Sequence, residues 1–211
     1  MRAIQPLTFI FFIFNFIFAQ HTIPFASQNN AIELSIANAS TVAASNVVVE
    51  VTNAPQWLNF LNRKLTIENL NASENKIANF TFSVDKSSPV NKPEQITFTI
   101  TNSNGEKWTK MLSLQVSAPE KFELFQNYPN PFNPATTISY LLPIATETSV
   151  KIFDVTGREV NTLFSGREDA GYHQHEWRAT SVASGMYIYQ IVIKNENGKN
   201  EYHRKKMMLM K

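Results

Sequence analysis

Apolar and polar residues alternate with a period of two over much of the chain after residue 20. Ile32, Leu34 and Ile36 alternate with Glu33 and Ser35, and Val47, Val49 and Val51 with Val48 and Glu50. Phe80, Phe82 and Val84 are spaced by Thr81 and Ser83, Ile96, Phe98 and Ile100 by Thr97 and Thr99, and Leu112, Leu114 and Val116 by Ser113 and Gln115. Neighbouring side chains of a strand point to opposite faces, so each run predicts an antiparallel strand with one buried and one wet face. The intervals carry turn chemistry in Asn53-Ala54-Pro55, Ser87-Ser88-Pro89 and Asn102-Ser103-Asn104-Gly105. Asn104-Gly105 predicts a hairpin, because tight hairpin turns need residues that accept positive φ.

A second series of runs lies beyond Ser117-Ala118-Pro119-Glu120, where a proline after a small residue separates two periodic segments. Such a stretch is an ordinary domain joint. The series comprises Thr136-Thr137-Ile138-Ser139-Tyr140, Val150-Lys151-Ile152-Phe153-Asp154, residues 160–164, the segment holding Gly171, His173 and Trp177, residues 186–191, and a last strand over residues 205–211. Short strands at this spacing predict an all-β chain of two immunoglobulin-like antiparallel β-sandwich domains, residues 20–118 and 119–211, with no helical core after Gln28. Around Asn46-Val47-Val48-Val49 and Pro55-Gln56-Trp57-Leu58 the first half also resembles bacterial surface immunoglobulin-like modules.

The first nineteen residues stand apart. Arg2 supplies a positive start, residues 7–18 form an apolar run broken only by Thr8 and Asn15, and Ala19 is a small residue suited to cleavage before Gln20. This pattern predicts a cleaved secretory signal peptide. The run falls short of the roughly 20 apolar residues that a spanning helix needs, and no later segment is apolar enough, so the mature chain is expected to lack a transmembrane segment. Composition then removes several classes of chemistry. The absence of cysteine excludes disulfides, thiolate metal sites, a cysteine nucleophile and a bacterial lipid anchor. With 19 Lys+Arg against 17 Asp+Glu, the formal charge of +2 does not point to nucleic acid as a partner.

The sharpest local signal is Tyr128-Pro129-Asn130-Pro131-Phe132-Asn133-Pro134. Its prolines forbid helix and central strand, and Tyr128 and Phe132 are expected to be buried anchors that pin the stiff loop to a sheet. Downstream stand Ile152-Phe153-Asp154 with Gly157-Arg158, then Gly185-Met186-Tyr187, and finally Lys205-Lys206-Met207-Met208-Leu209-Met210-Lys211. In this order the motifs resemble the C-terminal sorting domain of the type IX (Por) secretion system of Bacteroidota and related phyla, over residues 122–211. One departure is Arg178-Ala179 after Trp177, where the family often has Asp or Asn and Gly.

The resemblance implies a route rather than a reaction. A signal peptide would deliver the chain to the periplasm of a Gram-negative bacterium, and the sorting domain would be read by the outer-membrane type IX translocon. The surface processing and attachment machinery would then release the protein or attach it to anionic lipopolysaccharide. The resemblance further implies that the terminal strand serves as the handle, through strand addition by main-chain groups with its lysines setting register.

Candidate chemistry elsewhere is thin. His173 and His175 share a strand face but have no third ligand spaced to help, so they are expected to be an exposed strand surface, not a metal site. Asp154, before Gly157, reads as a turn residue rather than a general base. No nucleophile elbow, phosphate loop or metalloprotease motif occurs. The chain is therefore expected to be a non-enzymatic secreted or surface protein without cofactor. An alternative is a carbohydrate- or polymer-binding module in which Trp57, Trp108 or Trp177 stacks on sugar, and a third is a small hydrolase using acid pairs such as Glu68 and Glu74.

Overall fold

The computed structural model describes residues 21–195 and 197–211. The expected signal peptide, with Ala19 and Gln20 at its cleavage site, lies outside the described residues. The chain divides into two compact units, Met1–Ser117 and Ala118–Lys211. All described regular structure is β, as the period-two pattern requires.

The first unit contains β1 (His21–Ile23), β2 (Asn30–Ala37), β3 (Ala44–Asn53), β4 (Leu58–Phe60), β5 (Lys64–Leu70), β6 (Asn75–Val84), β7 (Pro93–Thr101) and β8 (Lys107–Val116). One sheet has the order β1-β8-β7-β3-β5 and the other β2-β6-β4. The alternating residues of the sequence face inward: Val47, Val49, Phe80, Phe98, Ile96 and Val116 are each fully buried in one core. Phe80 and Phe98, one from each sheet, set their ring centroids 5.2 Å apart across it. The β7–β8 hairpin turns through Gly105 at φ 78°, while the Asn102 side chain accepts the amide N–H groups of Asn104 and Glu106. One pairing departs from the antiparallel expectation. β1 runs parallel to β8, with His21 opposite Leu114 and Ile23 opposite Val116. First and last strands have no tight turn between them, so nothing forces them to run oppositely.

The second unit contains β9 (Glu123–Leu124), β10 (Ala135–Leu142), β11 (Thr146–Asp154), β12 (Glu159–Glu168), β13 (Gly171–Arg178), β14 (Gly185–Lys194) and β15 (Asn200–Leu209). Its sheets have the orders β13-β10-β9 and β12-β11-β14-β15. Ile138, Tyr140 and Leu142 from one sheet meet Val150, Ile152, Tyr189 and Ile191 from the other in a second core. The terminal strand thus lies at the sheet edge, with β14 as its only ladder partner among the described residues. It stops at Leu209, so Met210 and Lys211 are outside the strand that the sequence extends to the last residue.

Phe98→Ala should lower the stability of the first unit by about 3–5 kcal/mol, the cost of emptying a filled aromatic site. Chemical denaturation of the purified chain checks this, and an unmoved transition would mean that the Phe80–Phe98 contact is dispensable.

A proline loop that closes the terminal strand

Pro129, Pro131 and Pro134 have no N–H to give, so the segment before β10 cannot form a ladder and needs side chains to hold it. Asn127 is the polar clamp, 2% exposed. Its amide N–H donates to the Tyr189 hydroxyl at 3.0 Å, and its Nδ2 donates to the Pro129 carbonyl at 3.0 Å and to Thr136 Oγ1 at 2.9 Å. Thr136 in turn donates to the Pro129 carbonyl at 2.8 Å, and Tyr189 donates to the Phe125 carbonyl at 2.8 Å. Burial pushes the Tyr189 phenol up to about 12, so it remains a donor.

Phe132 is the apolar anchor, 2% exposed, with its ring centroid 5.5 Å from Trp177. Trp177 meets Tyr187 edge-on at 5.2 Å, and the Tyr187 hydroxyl donates to the Ala183 carbonyl at 2.7 Å. Tyr128 is not an anchor: it is 81% exposed. Its backbone pairs with Thr137 through hydrogen bonds of 3.0 and 2.9 Å, and in extended chain neighbours point oppositely. Asn127 points in and Tyr128 points out. The sequence reading missed Asn127, whose signal was its place beside a proline-rich run that cannot satisfy its own carbonyls.

The loop also covers the outer edge of β15. Phe132 N–H donates to the Met208 carbonyl at 3.0 Å and Met210 N–H donates to the Phe132 carbonyl at 3.0 Å. Met208 N–H donates to Asn130 Oδ1 at 2.9 Å, and Gln126 Nε2 donates to the Lys206 carbonyl at 2.8 Å. The motif around Pro129 and the motif at the terminus are therefore one structural site. Met207 and Leu209 are buried on the core side, while Met208, Lys206 and Met210 are exposed. Lys205 is half-buried. Lys211 turns back: its Nζ donates to the carbonyls of Thr180 (2.8 Å) and Val182, and its N–H to Ser184 Oγ.

The remaining motif residues build turns. Asp154 accepts from Thr156 N–H, Thr156 Oγ1, Arg158 N–H and Arg158 Nε at 2.6–3.1 Å. The Thr156 hydroxyl and these backbone and guanidinium donors hold its carboxyl below the usual range. Gly157 completes the turn at φ 83°, a conformation that side chains with a Cβ resist. Gly185 opens β14 at φ 151°.

His173 and His175 are only about one-fifth exposed and do have a shared partner. Glu168 Oε1 lies 3.3 Å from His173 Nδ1 and 3.1 Å from His175 Nε2, and Glu168 Oε2 accepts the Tyr140 hydroxyl at 2.6 Å. The strand-surface expectation failed because Glu168, at the end of β12, is brought over them by a two-residue turn. Burial raises the Glu168 carboxyl, but donors from His175 and Tyr140 and the charge of both imidazoles outweigh it and hold it below its ordinary value. Burial together with Glu168 drives the Tyr140 phenol upward. Among the described residues no group of three or more His, Cys, Asp or Glu side chains has the arrangement to hold a metal ion.

Trp177 is 2% exposed in the second core, and Trp57 and Trp108 pack half-buried against the first. Glu68 is exposed on β5, and Glu74 accepts the Asn71 N–H at 2.7 Å in a turn and pairs with Lys76 at 3.6 Å. The first unit opens a cleft of about 400 Å³ lined by Ile23, Ile32, Leu34, Phe82, Leu112 and neighbouring residues.

Fold and site together define a two-unit β protein whose C-terminal sandwich seals its last strand under a proline loop. Residues 126–208, within the second unit, match the family model of the secretion system C-terminal sorting domain. Among solved structures, the chain is similar to dimeric latent PorU from Porphyromonas gingivalis, at 15% identity over 98% of this chain and 20% of that one, with a TM-score of 0.37. It thus spans about one-fifth of the length of PorU. It is also similar to the Pseudomonas aeruginosa CupB2 chaperone, at 13% identity over 88% of this chain and 96% of that one, with a TM-score of 0.30. No curated protein matches the chain.

Phe132→Ala should destabilise the second unit by about 3 kcal/mol, through loss of a buried ring between Trp177 and the terminal strand. Thermal and urea unfolding measure this, and an unchanged midpoint would make the loop a free tail. A second expectation concerns acid. A carboxyl held low in the folded state adds stability above its unfolded value, near 4.3, and that stability is lost as pH falls through the folded value. Glu168→Gln should therefore flatten the fall in stability below about pH 4. Denaturation series at several pH values check it, and identical acid limbs would remove Glu168 from the account.

Proposed function

We propose that this is a non-enzymatic exported protein, whose C-terminal unit directs it across the outer membrane through the type IX translocon. The first unit, an immunoglobulin-like module, travels as the delivered part and is exposed at the cell surface or released from it. The observation that carries this reading is the sorting-domain match over residues 126–208, a stretch that takes in both the proline loop and most of β15. The joining of those two motifs in one hydrogen-bonded unit supports it, because a recognition element must be held in one conformation before a partner meets it. Surface machinery that processes the domain, and anionic lipopolysaccharide as an attachment point, follow from the same reading. In the described residues no helix is long and apolar enough to cross a membrane, so the proposal places no helical anchor there.

The full chain should reach the cell surface in cells with a working type IX translocon and stop in the periplasm in cells without one. A form lacking residues 206–211 should stop in the periplasm in both. Removing Met207 and Leu209 opens the core and exposes the loop, so the second unit should also lose its cooperative unfolding transition. Protease accessibility on intact cells and subcellular fractionation measure the outcome. Normal surface delivery of the shortened form would end the sorting proposal.

A further inference from the structure

On the reading just given, the terminal strand could be recognised along its main-chain edge or through its side chains. The edge is largely spent where the sorting motif lies. Hydrogen-bonding groups that face away from β14 belong to even-numbered residues, and at Lys206, Met208 and Met210 they are met by Gln126, Asn130 and Phe132. A partner strand cannot add there unless the loop leaves with its buried Phe132. Among the described residues, no hydrogen bond meets this edge at Tyr202 and Arg204.

The outer sheet face is organised differently. Inward residues of β11, β14 and β15 form the core, so the alternate residues lie on the outer face, where Phe153 and Ile188 are half-buried and Gln190 is buried. Register places Phe153, Ile188 and Lys206 in one row across three strands, with Met186 opposite Met208 beside it. Met186 and Met208 are 40% and 37% exposed, which is high for strand methionines on a sheet face. Gln190 lies between Lys151 and Arg204 in the row of this face next to Phe153, Ile188 and Lys206, and its Oε1 accepts Arg204 Nε at 2.5 Å. Lys151 is neutralised by Glu159 at 2.8 Å, whereas among the described residues no carboxylate pairs with Arg204 or Lys206. Unbranched methionine side chains adapt to a partner's contour, and uncompensated cations beside an apolar patch select a partner of opposite charge.

We infer that this outer face, Met186, Ile188, Met208 and Phe153 flanked by Arg204 and Lys206, is the surface by which the sorting domain docks on a protein partner presenting an apolar contact bordered by carboxylates. The backbone edge of β15 is then a structural closure rather than the recognised feature. The inference rests on the sorting proposal and names the surface that proposal uses.

The test compares three variants of the full chain by surface delivery, each with its thermal unfolding measured on purified protein. Met186→Asp with Met208→Asp places carboxylates in the contact. Arg204→Glu with Lys206→Glu inverts the border. Tyr202→Pro removes one outward N–H from this edge of β15 without breaking a bond to β14. Both face variants should unfold as the parent does yet fall about tenfold or more in surface delivery, since like charges facing one another across an interface are strongly unfavourable. Tyr202→Pro should be delivered normally. Should a double variant fail to fold, Lys206→Glu alone, at an exposed position, makes the same comparison.

Normal delivery of the folded face variants would overturn the inference, and so would retention of Tyr202→Pro with the face variants delivered, which would assign recognition to the edge. Purified chain is also mixed with phosphatidylethanolamine vesicles containing phosphatidylglycerol. Binding that the Arg204→Glu, Lys206→Glu variant loses would make the face a lipid surface and overturn a protein partner. The sorting proposal fails separately, only if the form lacking residues 206–211 is delivered.

Discussion

Two main-chain hydrogen bonds that join Phe132 to Met208 of the last strand and to Met210 just beyond it, at 3.0 Å each, decide the form of the C-terminal unit. A strand at a sheet edge has one neighbour, and a chain terminus frays unless something holds it. The proline loop is the second neighbour of β15. It can hold that place because its prolines donate nothing, so the few donors left, on Phe132 and the side chain of Gln126, are spent on the strand. The ring of Phe132 then fixes the loop under Trp177, so a backbone contact and an apolar contact reinforce one another at one residue.

The two units solve the same problem of core specificity with different chemistry. In the first, Val, Ile and Phe side chains fill the core, and the buried polar groups are short Asn, Ser and Thr side chains: Asn38 donates to the carbonyls of Val42 and Leu70. The second buries long polar chains. Tyr189 reaches the Phe125 carbonyl and Asn127, and Tyr140 reaches Glu168. Such networks stabilise only when every member is satisfied, and a slip in register would leave a carboxylate or amide without a partner. Glu168 is the extreme case. It is 9% exposed, and the phenol and two imidazoles around it compensate the cost of burying its charge.

The long alternating runs were legible before any coordinates. Strands around Phe80, Phe98 and Ile152 lie where period-two patterning puts them, because one buried face leaves a simple trace in the sequence. The short strands β1, β4 and β5 were not legible: three residues cannot establish a period, and β5 buries only Leu70 fully. At the site, the proline spacing pointed to the loop and to Phe132, but inside it the reading exchanged Tyr128 for Asn127. Aromatic residues bury by default, whereas here the Pro129 carbonyl takes its hydrogen bonds from side chains, and the buried amide of Asn127 supplies one of them. The Glu168 cluster was missed because its members come from three strands, β10 and β13 of one sheet and β12 of the other. Spacing along one strand cannot show a partner supplied by another.

An exported β-sandwich faces two opposed demands. Its edges must be closed before it meets other copies of itself, since bare main-chain groups pair with any extended chain. Yet a partner must still find a feature that other β-sandwiches lack. Edge pairing answers the second demand poorly, for main-chain groups are the same in every protein and give affinity with little discrimination. Side chains on a sheet face can be both unlike those of other proteins and compatible with a closed edge. Pairing with β14 sets Met208 and Lys206 opposite Met186 and Ile188, and the loop bonds the other edge of the strand without covering those side chains. A loop and a terminus 78 to 80 residues apart in the chain thus form one hydrogen-bonded unit.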